Sequence, residues 1–531
     1  MANTTYRQGA KAIVIGAGLG GIAAALRLRK RGYDVTLLEK QDQLGGRAGV
    51  YHRNGYTFDA GPTVVTAPFL FDELFELFGK KREDYVKFVP LYPWYRIVFA
   101  DGTHFDYGGT LEQTLAEIRK IEPADCEGYL KLLAHTKKIF DVGFTQLGDQ
   151  PFHTFWSMAK CAPQLMKLGT WRTVWQMTCK YIKSDKLRRV FSFQPLLVGG
   201  NPFNTTSIYS LIQYLEREWG VHFAMGGSAA IVAGLGRLME EEGIEVRLNT
   251  EVKHLNLRDV RKYLDGKPLE SIPSQRAWHM SGVTLKSGEI INAEPERTGY
   301  DSWNYTCVVC NADAPFVYRR MMPTEYQGAR PPVRKWTDLR ISNLKFSMGL
   351  FVLYFGTTRQ YPDLAHHTII LGERYAELLR DMFDLKKLAT NDLSLYLHRP
   401  TATDPSMAPA GCDSFYVLCP VPNLQGDTDW ATMGTKYRDI VIDELAKTVM
   451  PGLRECITED FYVTPLHFRD NLNTLHGTGF SIQPTFGQSA YFRFHNKSED
   501  IEGLYFVGAG THPGAGMPGV LCSAKVLEHL L

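Results

Sequence analysis

The chain has 531 residues, 44% of them hydrophobic and 22% charged, a balance that excludes a disordered protein and allows roughly two to four units of ordinary domain size. A net charge of +2 gives nucleic acid no general electrostatic attraction, and nine cysteines without framework spacing argue against a secreted disulfide scaffold. No apolar run approaches the ~20 residues needed to cross a bilayer.

Near the start, Ala12–Leu26 is free of charge and follows Arg7 and Lys11, a pattern that a signal-peptide reading would accept. Its glycines fit a nucleotide-binding turn better, and the chain is expected to stay on the cytoplasmic side. Residues 12–15, Ala-Ile-Val-Ile, read as a buried parallel strand. Gly16-Ala17-Gly18-Leu19-Gly20-Gly21 follows at once, then a helical pattern over Ile22–Arg31 and a second strand, Val35–Leu38, ending in Glu39. Gly16 allows the tight turn, Gly18 lets a pyrophosphate reach the backbone, and Gly21 lets helix and strand pack closely. The N–H groups at the helix start face the phosphates. Glu39, 18 residues beyond Gly21, is placed to accept hydrogen bonds from a ribose diol and disfavours a 2′-phosphate. Gln43-Leu44-Gly45-Gly46-Arg47 adds a second glycine pair that a plain nicotinamide dehydrogenase does not need.

Phe155–Val190 holds eight Lys or Arg against one acid, Asp185, with Trp156, Trp171, Trp175 and Tyr181 interleaved. Basic and aromatic residues mixed on helices suit an anionic membrane surface. An ordinary helical subdomain with tryptophan in its core has the same composition, and both readings stay open. Gly226-Gly227-Ser228 leads a helical stretch, Ala229–Gly243, followed by strands at Glu245–Leu248 and Val252–Leu255. Arg258–Tyr305 is polar with little periodicity and reads as a loop-bearing elaboration remote from chemistry. Cys307 and Cys310 sit in a buried strand running into a turn, not in a zinc or redox pair.

Further strands are expected at Leu350–Phe355, Thr368–Leu371, Leu393–His398 and Phe415–Cys419. His366 and His367 would point to opposite faces of a strand, so no metal site is expected. At the far end, the strand Leu504–Val507 enters a stretch with five glycines in twelve residues, Gly508–Gly519, and a closing helix, Val520–Leu531. Such a loop is reasonable where backbone must touch a planar ring. Pro518 suits the first helical turn, and His512 is read as fixing the turn.

Glu39–Arg47, EKQDQLGGR, resembles the signature of the FAD-dependent amine oxidase and desaturase superfamily. The runs FDAGPTV (58–64), FSFQPLLVGGNPF (191–203), YLEREWGV (214–221), LFVLYFG (350–356), LAHHT (364–368) and GLYFVGAGTHPGAGMPGV (503–520) resemble bacterial-type phytoene desaturases, in family order and over nearly the whole chain. The resemblance implies an α/β protein with a discontinuous Rossmann-type FAD-binding domain (1–65, 226–319, 481–531). A mixed-sheet and helical substrate domain (66–225, 320–480) would include a membrane-binding region at about 150–200. FAD would lie along Gly16, Gly18, Leu19, Gly20, Gly21, Glu39, Lys40, Gly46 and Arg47. The turn Gly61, Pro62 and Thr63, the strand at Val252, and Gly508, Ala509, Gly516, Met517 and Pro518 would complete the site. The closing helix would then aim its N-terminus at the flavin pyrimidine.

The implied activity is removal of hydride and then a proton from phytoene, giving neurosporene or lycopene, with electrons passed to a quinone or oxygen. The chain would sit peripherally on the inner face of the cell membrane. No catalytic base is identified: Asp59, His512 and Glu216 each read better as turn, cap or ion-pair residues. A carotenoid isomerase or oxidase, or an amine oxidase, would share the scaffold. A prenyl-lipid escort without flavin chemistry would not need both glycine-rich ends.

Overall fold

The computed structural model describes residues 10–259, 278–293, 307–323 and 333–531. A five-stranded sheet is built from chain segments far apart in sequence. Its order is Leu504–Phe506, Cys307–Cys310, Lys11–Ile15, Asp34–Leu38 and Glu245–Arg247, and every pairing is parallel. The central strands are near-continuous apolar runs, with Val14, Leu37, Val308 and Val309 fully buried, because helices cover a parallel sheet on both faces. The first helix, Leu19–Lys30, packs against the closing helix, Met517–Leu530. Ala23, Ala24 and Ala25 are all buried, so the first helix is enclosed on more than one side.

Beside this sheet, Val252–Asp259 pairs antiparallel with Trp278–Leu285. That second strand lies within Arg258–Tyr305, which reads from the sequence as a loop-bearing elaboration with little periodicity, and it gives the segment regular structure. Its buried residues, Trp278, Met280, Val283 and Leu285, alternate on either side of an irregularity at Gly282, where φ is +157° and the partner register shifts. A bulge offsets the period-two pattern by one residue and hides it from a sequence scan. Residues 260–277 and 294–306 of that segment lie outside the described residues.

A seven-stranded sheet forms the second layer, in the order Ile457–Val463, Gly349–Thr357, Asp413–Val421, Leu395–His398, His367–Ile370, Tyr95–Val98 and His104–Tyr107. All its pairings are antiparallel except His367–Ile370 with Tyr95–Val98. Alternate residues divide its faces. Phe351, Leu353, Phe355 and Val417 pack under the helix Trp430–Thr448 through Tyr437, Val441 and Leu445. Leu350, Val352, Tyr354, Tyr416 and Leu418 face the interior cavity. Helices over residues 111–219 close the other side, including Asp125–Phe140, Phe155–Lys167 and Leu211–Trp219. Among the described residues, no helix is long and apolar enough to cross a membrane.

Candidate active site

The glycine turn lies at the carboxyl ends of the parallel strands, where an open α/β sheet leaves a crevice. A methyl at Gly21 would lie 2.0 Å from the carbonyl oxygen of Gly16, so only glycine lets the first helix start here. Gly18 caps that helix. Glu39 is buried, and its Oε2 accepts a hydrogen bond from the Ala17 N–H at 2.7 Å while Oε1 accepts one from the Gln41 N–H at 2.9 Å. An ionised carboxylate offers about four lone pairs, so acceptor capacity remains for a ligand. Lys40 donates to the Asp470 carbonyl at 2.9 Å and to Asn473 Oδ1 at 3.0 Å, bridging to the far end of the chain.

The second glycine pair folds back on the first: a Cβ at Gly46 would meet Gly18 Cα at 3.3 Å. Arg47 faces the cavity from a deeply sunken position, and burial lowers its pKa with Asp313 as the opposing charge. Its buried Nε has no hydrogen-bond partner among the described residues. Gly61 sits on this turn, since a methyl there would lie 2.1 Å from the Arg47 carbonyl oxygen. Two tyrosines of the large sheet hold the same segment. Tyr354 donates to the Ala60 carbonyl at 3.0 Å, and Tyr416 to the Gly61 carbonyl at 3.1 Å.

These segments open onto one cavity of about 540 Å³. Its wall includes every residue expected at the cofactor except Gly21, which acts in packing. Lys40 and Val252 line the nucleotide end, and Gly508, Ala509, Gly516, Met517 and Pro518 line the side closed by the last helix. From there an arm continues between the large sheet and the helices, walled by Leu197, Ile212, Val352, Leu371, Leu418 and Phe468. Sequence reasoning missed Asn311, whose side-chain amide abuts Gly18, Gly20 and Gly508 together. The available signal was its position at the carboxyl end of the apolar run Cys307–Cys310.

The three residues considered as bases differ in their surroundings. Asp59 lies outside the cavity wall and accepts from Ser228 N–H at 2.7 Å and Oγ at 2.8 Å, at the start of the helix Gly227–Glu241. His512 packs edge-on against Phe152 at 4.9 Å, and burial pushes its pKa down to about 3. Glu216 is buried at the apolar arm, accepts from the Tyr95 hydroxyl at 2.8 Å, and is pushed up to about 7 by burial.

His366 and His367 do not point apart. His366 precedes the strand, which begins at His367, so strand alternation does not govern it. Its ring centroid lies 4.6 Å from that of His367 and 4.8 Å from that of His398. The nearest nitrogens of the three residues lie within 4.8 Å of one another. A tetrahedral ion with bonds of ~2.0–2.1 Å would need roughly 3.3 Å, and His366 Nδ1 is already 2.7 Å from Thr403 Oγ1. Hydrogen bonds reach the cluster only through its Nδ1 atoms, and the Nε2 atoms of all three histidines are buried without a hydrogen-bond partner among the described residues.

The basic and aromatic stretch divides in two. Trp175 and Tyr181 pack against the core of the helical half, Lys186 pairs with Asp101, and Arg189 pairs with Asp185. Trp156 is 73% exposed, and Phe155, Met166 and Trp171 are also more than half exposed. Lys160 and Lys167 share their helix and have no ion-pair partner among the described residues. The inner side of the same helix contributes Leu165 to the cavity wall.

Residues 19–268 match the family model of flavin containing amine oxidoreductases. The chain is 43% identical to a lycopene-forming phytoene desaturase of Pseudescherichia vulneris over 522 residues, 98% of this chain and 99% of that one. The chain belongs to the bacterial-type phytoene desaturase family. A neurosporene-forming phytoene desaturase of Cereibacter sphaeroides is 40% identical, with 98% and 94% covered. Among solved structures, an oxidoreductase from Methanosarcina mazei superposes with a TM-score of 0.59 at 14% identity, covering 98% of this chain and all of that one. Putrescine oxidase bound to putrescine gives 0.56 at 14% identity over 98% and 99%. These likenesses show the shared fold.

Like other members of the phytoene desaturase family, the protein is an FAD-dependent oxidoreductase. Its residues fit that cofactor. The glycine pairs clear backbone for a dinucleotide, Glu39 keeps acceptor capacity, and Arg47 brings a buried cation to the cavity wall. The helix Met517–Leu530 begins at the cavity wall with backbone N–H groups that carry partial positive charge.

Proposed function

We propose that the protein draws phytoene from the inner face of the cell membrane and desaturates it stepwise to neurosporene or lycopene. The observation that carries this reading is the single cavity that joins a glycine-lined dinucleotide cleft to an aliphatic arm. Relatives named for phytoene, at 40–43% identity over nearly full length, support the choice of substrate. FAD supplies a two-electron hydride acceptor. The chain's own residues align the polyene along the arm and exclude water from it. The electrons leave to a quinone or to oxygen, and no second Rossmann fingerprint in the sequence offers a nicotinamide site.

Transfer directly from lipid follows from the solvent. Exposing a C40 hydrocarbon to water costs roughly 30 kcal/mol, more than the ~20 kcal/mol at which non-covalent affinity saturates. The helix Phe155–Lys167 supports membrane contact, because it sets Trp156 and Lys160 outward while Leu165 reaches the cavity. Aromatic rings and lysines in that arrangement suit an anionic headgroup layer.

The test is incubation of the FAD-loaded protein with phytoene in liposomes, under anaerobic conditions with a quinone. A structured visible band in the extracted lipid is expected, and its position counts the double bonds formed. An unchanged spectrum with FAD bound would remove phytoene as substrate.

A further inference from the structure

A chain of hydroxyl and imidazole groups runs from the cavity wall into the protein. Tyr396 stands in the strand Leu395–His398, half-buried, with its remaining surface on the cavity. Its hydroxyl lies 2.7 Å from His367 Nδ1 and 3.2 Å from Thr63 Oγ1. His367 Nδ1 lies 3.4 Å from His398 Nδ1, and His398 Nε2 lies 3.4 Å from Asp59 Oδ2. Both histidines are fully buried. A chain of polar groups set in a hydrophobic core, with one end on the cavity, has the form of a proton path.

We propose that this chain takes the proton lost in each desaturation, with Tyr396 the catalytic residue that touches the polyene and His367 its proton acceptor. The inference rests on the desaturase reading above. Loss of hydride leaves an allylic cation spread over the polyene. Such a cation is acidic enough for a phenol oxygen to serve as base if the phenol gives up its own proton in the same motion. The C–H bond beside the cation breaks, and its electron pair becomes the new π bond. That proton goes to Tyr396 Oη while the phenolic proton goes to His367 Nδ1. The polyene has then lost a hydride to FAD and a proton to His367, and Tyr396 is unchanged.

The surroundings suit each role. Burial pushes the Tyr396 phenol up, so it holds its proton before turnover. Burial lowers His367, as it does His398 despite the opposing pull of Asp59, so both begin neutral. With Tyr396 donating, His367 carries its hydrogen on Nε2 and offers Nδ1 as a lone pair. The imidazolium formed there has His398 Nδ1 as neighbour, and Asp59 on the far side of His398. The other groups facing the cluster are His366, the Tyr95 and Tyr416 hydroxyl rings, and Arg399. Arg399 is itself held by Asp413 at 2.9 Å.

The experiment uses full-length FAD-loaded protein and phytoene liposomes, following the new polyene absorption in one anaerobic turnover in H2O and D2O. In the wild type, formation of the chromophore should slow about twofold in D2O, since the phenolic hydrogen of Tyr396 exchanges with solvent and moves in the step. Tyr396→Phe should form it on the order of 10²-fold more slowly, with the isotope effect abolished and the affinities for FAD and liposomes within about twofold. His367→Asn keeps an acceptor for the Tyr396 hydroxyl without a basic nitrogen and should show the same loss. Either variant turning over at the wild-type rate, or Tyr396→Phe keeping the isotope effect, would overturn the relay. A wild type that binds FAD and forms no chromophore would sink the desaturase reading and the relay with it.

Discussion

The Glu39 carboxylate reaches back to the glycine turn, where its Oε2 accepts a 2.7 Å hydrogen bond from the Ala17 N–H. One side chain therefore shapes the turn and presents its remaining lone pairs to the cleft. Replacing it by alanine strands a buried N–H, at about 1–3 kcal/mol, and removes the ligand contact as well. Glu39→Ala should weaken FAD binding by roughly 10- to 100-fold, and Glu39→Gln, which keeps one acceptor, by less. Titration of apoprotein by flavin fluorescence measures both, and an unchanged affinity in Glu39→Ala would remove this residue from the cofactor site.

Gly21 has no room for a methyl, which would lie 2.0 Å from the Gly16 carbonyl oxygen. Gly21→Ala should lower stability by about 1–3 kcal/mol or more and empty the protein of flavin. Gly487 has open space around its Cβ position and no positive φ, so Gly487→Ala should stay within about 0.5 kcal/mol of wild type. Thermal unfolding and flavin absorbance of the two variants give the comparison.

Glu216 carries a pH signature. Its folded pKa is raised to about 7, so between its unfolded value near ~4.3 and pH 7 the folded protein binds more protons than the unfolded chain. The contribution to stability is complete below the unfolded value and is lost as pH rises through about 7, amounting to a few kcal/mol. Glu216→Gln keeps an oxygen for the Tyr95 hydroxyl but cannot ionise. Urea unfolding at pH 5 and pH 8 should show the variant gaining on wild type as pH rises. A constant difference at both values would mean that the carboxyl does not titrate in this range.

The membrane reading predicts separable effects of charge and ring. Lys160→Glu combined with Lys167→Glu should cut binding to anionic vesicles by at least about tenfold, at ~1 kcal/mol per lysine. Binding to neutral vesicles should change little, and added salt should shrink the difference. Trp156→Ala should weaken binding to both kinds of vesicle. Vesicle sedimentation reads all three, and wild-type-like binding by the double lysine variant would place the lipid contact elsewhere.

The strand, turn and helix over residues 11–30 are legible in the sequence because each local signal agrees with the others: an apolar run, spaced glycines, then an alanine- and leucine-rich helical run. The same holds for Leu504–Leu530. Trp278–Leu285 is not legible, because a bulge at Gly282 splits its alternation. The pairing of Tyr95–Val98 with His367–Ile370 joins segments with no local sign of each other. Asn311 and Tyr396 escape notice for a related reason. Their significance comes from what lies across the cavity, and one residue in a strand carries no motif. Strand alternation fails for His366 because the strand starts one residue later, at His367.

The parallel sheet takes its outermost strand from Leu504–Phe506, and the wall of the cleft from the helix that follows. During synthesis the glycine turn emerges some 490 positions before the residues that face it. Until then the nascent chain has half a nucleotide cleft and an exposed sheet edge at Cys307–Cys310. A ribosome stalled before residue 504 should therefore hold a chain that cannot retain FAD. The unfilled, edge-exposed chain is the form that chaperones or proteases would meet first.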